Sequence, residues 1–91
     1  MQIPEEFKRL SQCFWQGSDE EAKDENDWIA RALKLNNQKE QAVIKKFLTD
    51  LLASGANNGE LVRVWNGGWS GYGVHEDQVR DFFQKIRDMI K

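Results

Sequence analysis

Residues 43–52 constrain the fold most. Val43, Ile44, Phe47, Leu48, Leu51 and Leu52 recur at the i, i+3, i+4, i+7 spacing, which places them on one side of an α-helix. Gly55 lies three residues beyond Leu52 and suits a left-handed helix end. A second stripe ends the chain. Val79, Phe82, Phe83, Ile86 and Ile90 share one face of a helix expected over Glu76–Ile90, with Glu76 and Asp77 at its start and Lys91 at its end, as the helix dipole favours. A single amphipathic helix is marginal in water, so these stripes require partners.

Two further helices are expected upstream. Pro4 suits a first helical turn, and Phe7, Leu10 and Phe14 follow it in a helix over Pro4–Phe14 that Gly17 stops. Ser18 and Glu21 form an S-x-x-E pattern, which can start a helix through reciprocal capping. Asp24 offers a later start. Trp28, Ile29, Ala32, Leu33 and Leu35 form the apolar stripe of this second helix, and Asn36 and Asn37 end it. The run Glu60–Trp65 fits either a strand or a helical face. A short helix is preferred because no second convincing strand exists to pair with it. Gly67, Gly68, Gly71 and Gly73 alternate with Trp69, Ser70 and Tyr72 in an irregular loop. The expectation is one all-α domain over residues 1–91: a small antiparallel bundle of four to five helices, with a Gly/Trp-rich loop before the last helix.

Charge is unevenly spread along the 91 residues. Asp19, Glu20, Glu21, Asp24, Glu25 and Asp27 put six acids into nine positions, opposed only by Lys23. The rest of the chain holds nine acids against twelve bases, a balance of +3. A nucleic-acid binder concentrates bases instead, and no helix reads as a basic recognition helix. The acidic segment matches a partner with a basic surface. No apolar run approaches the ~20 residues that span a bilayer, and MQIPEEFKRL lacks the apolar core of a secretory signal. The lone Cys13 cannot form an internal disulfide, which favours a reducing compartment such as the cytoplasm.

Catalytic and cofactor patterns are weak. One Cys and one His cannot supply the common zinc sets. The acidic run lacks the loop glycine of an EF-hand. The glycine loop lacks the lysine of a phosphate-binding P-loop. Neither a metal nor a cofactor is expected. A rival reading is a small enzyme using His75 and Tyr72 at the glycine loop. Trp and Tyr are common interface anchors, so the loop suits partner recognition.

Glu60-Leu61-Val62-Arg63-Val64-Trp65-Asn66, a Gly/Ser/aromatic linker ending in Tyr72-Gly73-Val74, and Val79-Arg80-Asp81-Phe82-Phe83-Gln84-Lys85-Ile86-Arg87-Asp88 together resemble the C-terminal signature of bacterial contact-dependent growth-inhibition immunity proteins. The resemblance covers about 30 residues of the 91. It implies a cytoplasmic, non-enzymatic protein that binds the C-terminal toxin domain of a cognate effector, often a nuclease, and blocks it. With or without it, Trp65, Phe82 and Ile86 are expected to be core residues. No contact residue transfers from it. Charge alone makes Asp19, Glu20, Asp24, Glu25 and Asp27 the residues that steer such a toxin, and side-chain chemistry makes Trp69 and Tyr72 its anchors. The alternative is a helical adaptor or regulatory subunit for a non-toxin protein. The sequence leaves the oligomeric state open.

Overall fold

A computed structural model describes residues 3–15 and 17–90, without the side chains of Ser18 and Asp19. Among the described residues there are five α-helices: α1 (Glu5–Gln12), α2 (Glu25–Leu33), α3 (Gln38–Ala53), α4 (Asn58–Asn66) and α5 (Val79–Met89). No described residue belongs to a β-strand, and the one bridge pairs Trp15 with Gly71. The expected small helical bundle is therefore the observed architecture.

Local chemistry sets most helix ends. Asn37 and Glu40 form a reciprocal capping box at α3, with both bonds near 3 Å. This pairing satisfies two otherwise unbonded backbone groups. Asn57 accepts the Glu60 N–H at α4, which settles the ambiguous segment as helix and buries Leu61 and Trp65 one turn apart. Gly55, at φ +82°, follows the last turn of α3.

Four expected boundaries are corrected. The second helix does not begin at Ser18: Ser18–Glu21 forms a separate 3-10 turn, and Asp24 caps α2 by accepting the Asp27 N–H. The Ser18 side-chain cap lies outside the described residues. Leu35 drops out of the stripe, because α2 stops at Leu33 and Leu35 is left 75% exposed. The last helix begins at Val79, with Glu76–Gln78 forming a turn on the His75 carbonyl. The first helix is likewise shorter than expected, its last residues continuing as a turn to Phe14.

The core is an aromatic cluster walled by aliphatics. Trp65 is fully buried and packs against Phe7, Phe14, Phe82 and Phe83 at centroid distances of 5.2–6.1 Å. Several of these pairs meet edge to face, the arrangement the ring quadrupole favours. Phe82 and Ile86, expected to be core, are buried as well. α1 and α3 run antiparallel: Arg9 meets Glu40 and Phe7 meets Phe47, while Ile3 and Leu51 line one recess.

Candidate interaction surface

The loop between α4 and α5 is held by α1. Ser11, fully buried, donates its hydroxyl to the Lys8 carbonyl at 2.7 Å and accepts the Trp69 N–H at 2.9 Å. The Gly71 N–H reaches the Phe14 carbonyl at 2.9 Å, and the indole N–H of Trp65 reaches the Tyr72 carbonyl at 2.8 Å. Gly68 is required by close approach. A Cβ there would stand 2.6 Å from Ser11 Oγ.

This latch presents the two candidate anchors differently. Tyr72 is half-buried and packs edge to face against Trp28 at 4.8 Å. Tyr72 and Trp28 line a recess of about 260 Å³ with Ala22, Lys23, Asp24 and Glu25. Trp69 is 50% exposed and lines a groove between α1 and α3. The recess and the groove share no lining residue. The seven candidate residues are thus not gathered at one place: Asp24, Glu25 and Tyr72 come together, and Trp69 stands apart.

The acidic segment is also less uniform than its sequence. Gly17, at φ +96°, leads into it. Glu20, Glu21, Asp24 and Glu25 are exposed. The Asp24 side chain is engaged in the α2 cap. Glu25 meets Lys85 at 3.0 Å, both exposed. Asp27 accepts the Lys23 backbone N–H at 3.0 Å and the Arg31 side chain at 3.1 Å. The Lys23 bond, reinforced by Arg31, holds the Asp27 carboxyl below its ordinary value, because both partners favour the charged form. The Asp19 side chain lies outside the described residues.

Trp15 is an exposed aromatic that the sequence reading did not single out. It is 56% exposed and bridges to Gly71. The available signal was its adjacency to Phe14: two neighbouring aromatics at a helix end cannot both enter the core, and Phe14 is the one fully buried. Cys13 is half-buried and donates its thiol toward the Arg9 carbonyl at 3.7 Å. Burial pushes that thiol up from its ordinary value. His75 is exposed, and its carbonyl anchors the turn into α5. Among the described residues no group of three or more His, Cys, Asp or Glu is placed to hold a metal ion, and no helix is long and apolar enough to cross a membrane.

No family model, curated protein or solved structure matches the chain.

Proposed function

We propose that this domain is an immunity protein that binds and neutralises the toxin domain of a contact-dependent growth-inhibition effector in the cytoplasm of the producing cell. The observation that carries the reading is the recess where Asp24 and Glu25 meet the half-buried ring of Tyr72, next to the exposed Glu20 and Glu21. The sequence resemblance supplies the toxin. Its residues fall on α4, the latched loop and α5.

A nuclease toxin binds a polyanion and carries a cationic cleft. The acidic segment attracts that cleft and speeds encounter, since interface charges contribute more to association rate than to affinity. Tyr72 supplies an apolar contact already fixed before binding.

The test is titration against the protein encoded immediately upstream, with a parallel growth assay. Binding together with rescue of cells expressing the upstream toxin domain is expected. Glu20→Lys/Glu21→Lys should slow association and flatten its dependence on salt, with dissociation nearly unchanged. Absence of both binding and rescue overturns the proposal. Binding without rescue returns the domain to the adaptor class.

A further inference from the structure

Trp69 faces a groove of about 650 Å³ whose apolar wall includes Ile3, Val43 and Phe47. Glu5, Lys8, Lys46 and Asp50 complete its lining. We propose that this groove is a homodimer interface, in which a second copy of the chain packs the same face about a two-fold axis. The inference does not rest on the toxin reading: the recess at Tyr72 shares no lining residue with the groove, and Trp69, expected from the sequence to anchor a toxin, is assigned here to the second copy instead.

The order of the charges carries the argument. On α1, Glu5 precedes Lys8 by three residues; on α3, Lys46 precedes Asp50 by four. Both spacings put the pair on one helix face. Because α1 and α3 run antiparallel, both acids are displaced from the lysines in the same direction. The groove therefore has an acidic row, Glu5 and Asp50, and beside it a basic row, Lys8 and Lys46. A two-fold axis between the rows sets the acids of each copy over the lysines of the other. Self-complementarity of this kind is what an isologous interface requires. Glu5 also lies 3.3 Å from Arg9, with both side chains at least half exposed. Such a surface pair is weak and leaves Glu5 available to the second copy.

The apolar contribution is concentrated in Trp69, which is half exposed, and Val43, which is 38% exposed. Trp is the residue type most enriched where interface energy concentrates. A stable interface covers about 800 Å² of each partner. The apolar wall here is small, so association is expected to be reversible and concentration-dependent.

Sedimentation of the full chain over about 1 µM to 1 mM, the range of weak association, tests this. The expected mass rises from the 10.6 kDa monomer toward twice that value. Lys8→Glu/Lys46→Glu makes the lining wholly acidic, and Glu5→Lys/Asp50→Lys makes it wholly basic. Each variant alone should self-associate at least about tenfold more weakly, since like charges then face one another. An equimolar mixture of the two should recover the dimer. Circular dichroism confirms that each variant is folded. Should either fail to fold, Trp69→Ser serves instead and should weaken the dimer at unchanged helicity. A wild-type monomer across the whole range overturns the proposal. So does undiminished dimerisation of any folded variant, or a mixture that stays monomeric.

Discussion

Gly68→Ala should destabilise the domain by crowding the latch. The added Cβ would stand 2.6 Å from Ser11 Oγ, 3.3 Å from Ser11 Cβ and 3.4 Å from the Trp65 carbonyl. Ser11 cannot swing clear at low cost. It is fully buried, and its hydroxyl both donates to Lys8 and accepts from Trp69. If the backbone yields, the cost is that of overpacking, about 1–3 kcal/mol. If Ser11 yields, the Trp69 N–H loses its acceptor, which costs on the order of 1–3 kcal/mol when the donor is left dry. Either route gives about 2 kcal/mol. For a domain of this size that lowers the melting temperature by roughly 8–16 °C. Urea unfolding followed by helical circular dichroism measures the loss directly. A cycle with Ser11→Ala isolates the contact. Ser11→Ala alone should cost about 1–2 kcal/mol, and the double variant should lose less than the two single losses together, because the clashing oxygen is gone. A Gly68→Ala protein within about 0.5 kcal/mol of wild type, the range of a neutral surface change, would refute this account of the latch.

Trp65→Phe keeps an aromatic ring in the core but strips the Tyr72 carbonyl of its indole partner. A loss of about 2–4 kcal/mol is expected in urea unfolding, from the lost bond and reduced burial together. The pH dependence has a definite sign. Asp27 is held below 3.8 by the Lys23 N–H and then Arg31, and Glu40 below 4.5 by the Asn37 N–H and then Arg9. Their contribution is fully present above those ordinary values and is lost as pH falls through the lower folded values. Urea midpoints should therefore drop as the solution is taken below pH 4.5, and Asp27→Asn with Glu40→Gln should flatten that part of the profile. Cys13, with its thiol raised by burial, should be alkylated several-fold more slowly in the folded chain than in urea at mildly alkaline pH. Equal rates would contradict its packing.

The helices legible in the sequence were those whose period is long. The six apolar positions of residues 43–52 and the stripe from Val79 to Ile90 leave no competing pattern. The start of α2 was harder because two local signals competed. Ser18 with Glu21 and Asp24 with Asp27 both have cap spacing, and a cap is worth only about 1 kcal/mol. Burial of Trp28, Ile29, Ala32 and Leu33 is worth more. It fixes the helix after Asp24 and releases Ser18–Glu21 into a tighter turn. Separating Tyr72 from Trp69 was beyond local pattern altogether. They are three residues apart in an aperiodic loop, and the bonds that aim them come from Ser11 and Phe14, more than fifty residues earlier. Gly68 illustrates the same gap. In sequence it reads as a flexible turn residue; in the fold it is small because α1 passes against it.

Two of the acids proposed to steer a partner also hold the fold. Asp24 caps α2, and Asp27 ties α2 to the Lys23 backbone and to Arg31. Reversing either charge removes a structural bond as well as altering the field, so weaker binding by such a variant has two causes. Glu20 and Glu21, both exposed, sit in the 3-10 turn before that cap, where a sign change alters the field with least effect on α2. The role proposed for Tyr72 is of another kind. Its carbonyl is held by Trp65 and its ring by Trp28, so little conformational freedom remains to be lost when a partner covers it. Preorganisation of this kind preserves binding free energy that a mobile aromatic would forfeit. On the proposed reading, a small domain with few exposed anchors therefore gains more from the Trp65 and Trp28 contacts that fix Tyr72 than from the addition of further charge.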